Sequence, residues 1–198
     1  NNILMKIGII GNGRHSKRIQ SILKKKKYIY FVYKPKKPKY FDHVEFEKLK
    51  SCDTIFIISP DNTHFDYLKK LHKNRYIFCE KPPVVNKDQF KKLKKIKSSK
   101  IYFNYNFRFR IIAEILKKRK FYNLGKLIYC NITSSHGLAK KREYRKSWRA
   151  DRKRSRKGVF EIVSIHYVDL INYLFNIEKI DKIKLLNSSK IGSSFDTS

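Results

Sequence analysis

The stretch Tyr76 to Val84 reads YIFCEKPPV, which sets an acid beside a base where an apolar run stops. Tyr76 to Cys79 has the texture of a short buried strand, and ligands of parallel sheets collect beyond the carboxyl ends of such strands. Glu80 and Lys81 are thereby candidates for a site, with Pro82 and Pro83 stiffening the turn behind them. A second candidate lies near the start of the chain, where IGIIGNGRHSKRI sets Gly11, Asn12 and Gly13 between a strand-like and a helix-like run. Glycines there permit a tight turn and a close backbone approach to a pyrophosphate seated on the helix N-terminus. Arg14 and His15 follow, and Ser16 takes the place of the third glycine as a small residue compatible with close helix packing. About 20 residues on, an NAD site offers an acid to the ribose hydroxyls. Here that place holds Lys34, with Lys36 and Lys37 after it. A cation suits a 2′-phosphate, so the cofactor expected is NAD(P), with NADP favoured.

These residues need a scaffold, and apolar periodicity supplies one. Leu4 to Ile10, Tyr28 to Tyr33, Thr54 to Ile58, Tyr76 to Cys79 and Ile101 to Asn104 read as strands. Helical spacing falls between them at Ser16 to Leu23, Phe46 to Leu49, Thr63 to His72 and Lys87 to Ile96, the last with Asn86 as its N-cap. Strands alternating with helices demand parallel pairing through right-handed crossovers. The fold class is therefore α/β, with residues 1–105 forming a Rossmann-type doubly wound parallel sheet. Residues 106–198 change texture. Phe109 to Lys117 is expected to be helical, Lys126 to Thr133 a strand, Val159 to Phe175 a helix and Ile183 to Leu186 a strand, with a long basic loop from 140 to 157. This is the start of an α+β open-sheet domain, expected to be incomplete at Ser198.

Composition narrows the function classes. The chain has 198 residues, 41% of them hydrophobic, which suffices for a sizeable core. No apolar run approaches the ~20 residues that span a bilayer, and no secretory pattern opens the sequence. Cys52, Cys79 and Cys130 are odd in number and widely spaced, without metal-ligand spacing. No metal site is expected, and a reducing cytoplasm fits. The formal net charge of +32 would ordinarily point to nucleic acid. The excess is spread over almost every helix and accompanies abundant Ile, Asn and Tyr, which is the signature of compositional bias. Only KKREYRKSWRADRKRSRK at 140–157 concentrates arginine around the single Trp. No specific nucleic-acid partner is expected.

GIIGNGRHSKRI, SPDNTH at 59–64, EKP at 80–82 and HYVD at 166–169 occur in one order. In that order they resemble the glucose-fructose oxidoreductase and myo-inositol dehydrogenase (Gfo/Idh/MocA) family. The resemblance implies an N-terminal NAD(P)-binding domain and a second domain that completes a substrate site and joins subunits into homo-oligomers. It implies that Ser59, Pro60, Asn62 and His64 line the nicotinamide-ribose side, that Glu80 contacts the cofactor, and that Lys81 reaches both nicotinamide and substrate. It also makes His166 the acid/base group, since an imidazole titrating near neutrality can take the proton of an alcohol as its hydride leaves. Asp169, one turn later on the same helical face, would orient the ring. Two departures stand out. The acid that family members carry four residues before the histidine is Ile162 here, with Glu161 one place off, and the glycine-rich run before that helix is reduced to Gly158.

The resulting expectation is an NAD(P)-dependent oxidoreductase acting on a sugar, sugar acid or nucleotide-linked sugar. The alternative is a non-catalytic cofactor- or sugar-binding relative, motivated by Ile162. A nucleic-acid binder has only charge in its favour.

Overall fold

Ile7–Ile10 is apolar or glycine at every position, the composition of a strand covered on both faces, and it forms β1 with all four residues buried. The computed structural model describes residues 5–35, 43–98, 100–118, 128–134, 142–147 and 160–177, with residues 123, 125, 151, 179 and 182. They divide into two compact units, Asn1–Asn104 and Tyr105–Ser198.

In the first unit β1 is followed by α1 (Arg14–Lys25), β2 (Tyr30–Tyr33), α2 (His43–Lys50), β3 (Thr54–Ile57), α3 (Asp61–Leu71), β4 (Tyr76–Cys79), α4 (Lys87–Lys94) and β5 (Ile101–Phe103). The five strands are parallel in the order β2-β1-β3-β4-β5. Since β1 lies between β2 and β3, the chain reverses its direction of travel there, and a crevice opens beyond the carboxyl ends of β1 and β3. Alternate side chains feed two apolar layers. On one face Ile7 and Ile9 pack with Leu23 and Ile19 of α1. On the other, Ile10, Ile55, Ile57, Ile77 and Cys79 pack with Phe46 and Leu49 of α2 and Tyr67, Leu68 and Leu71 of α3. The expected cap of α4 is present, with Asn86 Oδ1 accepting from the Gln89 N–H at 2.9 Å. Gln89 Oε1 accepts in turn from the Val85 N–H at 3.0 Å, so the two side chains satisfy helix-start donors reciprocally.

The second unit contains a 3₁₀ turn (Asn106–Phe109), α5 (Ile111–Lys117), the short α6 (Arg142–Arg145), a π-helical turn (Phe160–Ser164) and α7 (Ile165–Phe175). Ala113 of α5 and Leu170 and Leu174 of α7 form its buried core, with Phe107, Leu116 and Phe175 against them. Left-handed Asn176, at φ 50°, ends α7.

Here the sequence expectations needed correction. Phe109 to Lys117 is not one helix: the 3₁₀ turn gives way to extended Arg110 before α5 begins. The strand expected at Lys126 to Thr133 does not form over its described residues, 128–133, which carry no strand pairing. Ile128 is 98% exposed and Tyr129 79%, so the apolar alternation has no layer to pack against. The run into α7 is π-helical rather than α-helical. Its i→i+5 bonding changes the angular step, so the α-helical spacing that related positions 161 and 162 to His166 does not hold there. The strand expected at Ile183 to Leu186 lies outside the described residues.

Candidate functional site

The crevice is built from the turn after β1. Gly11 has φ +106°, and a Cβ on it would lie 2.5 Å from the carbonyl oxygen of Ile58, just past β3. Only glycine fits that approach. Its N–H donates to the Tyr33 carbonyl at 3.0 Å, tying the turn to the end of β2, immediately before Lys34. Ser16 is fully buried, and its hydroxyl donates to the Gly11 carbonyl at 2.7 Å while accepting from Gln20 Nε2 at 2.9 Å. The serine in the third fingerprint place thus laces the turn from within. Gln20 also reaches Asn12 Oδ1 at 3.2 Å.

Gly13 caps α1 without offering a side-chain acceptor, and no acid stands in the first turn. The first-turn N–H donors and the positive end of the helix dipole are left to an anion. A Cβ on Gly13 would meet nothing within 4 Å. Asn12, Gly13, Arg14, Lys17, Arg18 and Ser21 line an open depression of about 650 Å³ beside this helix start. Donor set, charge and open cradle all fit the pyrophosphate of a dinucleotide.

Glu80 follows β4, and its neighbours follow from strand register. Pairing of Cys79 with Phe103 sets residues 80 and 104 side by side beyond the sheet. Asn104 Nδ2 donates to Glu80 Oε1 at 2.5 Å, and His15 Nε2, from the first turn of α1, approaches the same oxygen at 2.9 Å. Burial pushes the Glu80 carboxyl up, but the hydrogen bonds from His15 and Asn104 and the nearby imidazoles outweigh it and hold the group below its ordinary value. Glu80 therefore ties α1 to the ends of β4 and β5 as a carboxylate. Asn104 was not anticipated from sequence; its place at the end of β5, level with Glu80, was the available signal. Lys81 is half-buried just beyond, and Lys34 is exposed at the end of β2. Lys36 and Lys37 lie outside the described residues.

His64 lies at the N-terminal end of α3, deep in the first unit. It was expected to line the nicotinamide-ribose side; it is 1% exposed, and each ring nitrogen faces a backbone carbonyl, of which a ring with one N–H can donate to one. Nδ1 lies 2.8 Å from the Pro82 carbonyl and Nε2 2.8 Å from the Ser59 carbonyl. Burial lowers its pKa, against the pull of those two carbonyls. His64 thus lies between the loop after β3 and the loop that carries Lys81. Ser59 Oγ accepts from Thr63 Oγ1 at 2.7 Å, and Pro60 caps α3. Ser59, Pro60 and Asn62 remain half-buried at that loop.

In the second unit, His166 lies in the first turn of α7, half-buried. Its ring stacks on Phe107, with centroids 4.7 Å apart and planes at 16°. Asp169 does not take the expected place as its orienting acid. Arg108 Nε donates to Asp169 Oδ2 at 2.7 Å and Arg108 Nη2 to Asp169 Oδ1, so both carboxylate oxygens face a guanidinium 61 residues away in sequence. This hydrogen bonding raises the Arg108 pKa further above its ordinary value. A bidentate fork outcompetes a single bond to an imidazole. An arginine inside the aromatic run NYNFRF was the sequence signal for it.

Residues 5–102 match the model of an oxidoreductase family with an NAD-binding Rossmann fold, Gfo/Idh/MocA. These residues carry the NAD-binding domain of the Gfo/Idh/MocA oxidoreductase family. Among solved structures it resembles myo-inositol 2-dehydrogenase from Lactobacillus plantarum, at 20% identity and TM-score 0.65 over 87% of this chain and 56% of that one. It also resembles the WlbA dehydrogenase of Thermus thermophilus in complex with NAD and UDP-GlcNAcA, at 18% identity and TM-score 0.64 over 86% and 63%. A third is UDP-N-acetylglucosamine 3-dehydrogenase GnnA from Acidithiobacillus ferrooxidans, at 16% identity and TM-score 0.61 over 89% and 58%. At these identities the likeness is one of fold, and the chain spans under two thirds of each. No curated protein matches it. Among the described residues there is no cluster of metal ligands and no helix long and apolar enough to cross a membrane.

Proposed function

We propose that the protein is an NAD(P)-dependent oxidoreductase that transfers a hydride to or from a sugar, sugar acid or nucleotide-linked sugar. The observation that carries this reading is the glycine-capped start of α1 at the crevice, open to an anion and backed by the family match. When bound, the nicotinamide supplies the hydride acceptor or donor. In this reading Lys81 and His166 hold and move the proton of the substrate hydroxyl, and Glu80 fixes the loop before Lys81. Lys34, exposed one residue beyond the Tyr33 carbonyl that anchors Gly11, supports a preference for NADP. The basic stretch at 140–157, and the fold shared with dehydrogenases that act on nucleotide sugars, support an anionic substrate. A cytoplasmic setting and homo-oligomers belong to the same reading.

Calorimetry with NADH and NADPH tests the cofactor. Turnover by the natural reading frame, on a panel of sugars, sugar acids and nucleotide sugars, tests the chemistry through nicotinamide absorbance. Lys81→Ala and His166→Ala are each expected to lower the rate by about 100- to 10,000-fold while leaving dinucleotide affinity intact. Absence of dinucleotide binding to wild type defeats the proposal. Ile162, standing where relatives carry an acid, favours a second reading, a non-catalytic relative. Tight dinucleotide binding without turnover of any substrate would select it.

A further inference from the structure

We propose that Arg108 is a positioning residue for His166, acting through Asp169, with Phe107 beside it setting the plane of the imidazole. The inference rests on the reading of His166 as the proton-transferring group, but its structural half stands apart from that reading.

The 3₁₀ turn Asn106–Phe109 presents two consecutive side chains to two consecutive turns of α7. Phe107 meets the first turn, stacked on His166 and edge-on to Tyr167 at 5.0 Å and 80°. Arg108 meets the second, donating two parallel hydrogen bonds to Asp169, which is 10% exposed. The same guanidinium lies 4.8 Å from the ring centroid of Tyr173, one turn further along, and 5.5 Å from that of Tyr105. His166, Asp169 and Tyr173 form one stripe along the helix, so a single arginine grips the stripe that carries the imidazole. Arg110 adds its guanidinium carbon 3.5 Å from the centroid of the Phe107 ring, restraining that ring in turn.

The geometry dictates what this grip controls. A bidentate fork fixes distance and orientation together, whereas a point charge such as an ammonium fixes only distance. Turning a helix by about 20° carries a side chain 5–6 Å from its axis through about 2 Å. Misplacing a proton-transferring group by about 1 Å can cost on the order of 100-fold in rate. Leu170 and Leu174 hold α7 against its core, but a small apolar seam tolerates rotation far better than two parallel hydrogen bonds do. The arginine thereby converts a packed helix into an indexed one.

Two measurements test this. Protons held over an aromatic face resonate upfield, so the His166 imidazole signals of the 198-residue protein report the Phe107 stack without any need for activity. Phe107→Leu is expected to remove the upfield shift. Arg108→Lys and Asp169→Asn, each measured well below its own unfolding temperature, are expected to move those signals toward unstacked values. His166 signals that stay put in both variants overturn the proposal, because Arg108 would then be an ordinary ion-pair partner. In the natural reading frame, Arg108→Lys is expected to lower kcat at least about 10-fold while KM for substrate and dinucleotide stays within about 2-fold. A rise in KM with kcat unchanged also overturns it. If His166→Ala retains wild-type turnover, the catalytic reading of His166 fails, while the imidazole signals still decide whether Arg108 positions it.

Discussion

Replacing Gly11 with alanine builds a Cβ 2.5 Å from the Ile58 carbonyl oxygen and 2.9 Å from its carbonyl carbon, at a backbone φ of +106°. Both neighbours are main chain at the end of β3, so no side chain can swing aside. Holding an L-residue at such a φ costs about 1–3 kcal/mol, and forcing a shift in packed surroundings about 1–3 kcal/mol more. The sum, roughly 2–6 kcal/mol, is a large part of the 5–15 kcal/mol that stabilises a typical domain. For a unit of this size each kcal/mol lowers Tm by about 4–8 °C, so a fall of at least about 8 °C is expected. Gly13→Ala is the control. Its backbone is ordinary, with φ −74°, and the added methyl meets nothing, so only the weaker helix-capping of alanine is felt and its Tm is expected to fall by no more than a few degrees. Its dinucleotide affinity is expected to fall as the methyl intrudes on the cradle. Thermal unfolding by circular dichroism and calorimetry with NADPH separate the two effects. A Gly11→Ala protein that melts with wild type would refute the close approach of turn and strand, and a Gly13→Ala protein that binds like wild type would refute the cradle.

Glu80 is held below its ordinary value of about 4.5, so its contribution to stability is present above that pH and is lost as pH falls through the lowered value. Glu80→Gln is expected to be less stable at pH 7 and to flatten the acid limb of a denaturant-stability profile; an unchanged limb would assign acid sensitivity elsewhere. His64→Asn removes the imidazole between the Ser59 and Pro82 carbonyls and is expected to cost about 1–3 kcal/mol in urea unfolding. It should also weaken dinucleotide binding, whereas a direct-contact role would lower affinity with no loss of stability. Lys34→Asp is expected to shift the ratio of NADP to NAD affinity by at least about tenfold toward NAD, read by calorimetry. A wild type that already prefers NAD would leave that lysine without a role in selectivity.

Much of the first unit was legible because its signals are local. Ile7–Ile10 and Thr54–Ile57 declare buried parallel strands by composition, Asn86 declares a helix start, and glycines between β1 and α1 declare a tight turn. Each depends on a few neighbouring torsions, which short windows of sequence contain. Even the failure at 128–133 has this origin, since alternation proposes a strand but only a partner and a buried layer make one.

The identities of the polar partners were of another kind. His64 was read as a contact residue and meets the Pro82 and Ser59 carbonyls; Asp169 was read as the neighbour of His166 and pairs with Arg108; Gly11 answers to Ile58. Glu80 takes His15 and Asn104 because the strand order aligns the ends of β4 and β5 with the start of α1. A buried or half-buried polar atom bonds to whatever complementary group the fold brings within about 3 Å. Sequence determined which groups sought partners, and tertiary structure decided which partners they met, because that choice depends on strand order and helix register across tens of residues.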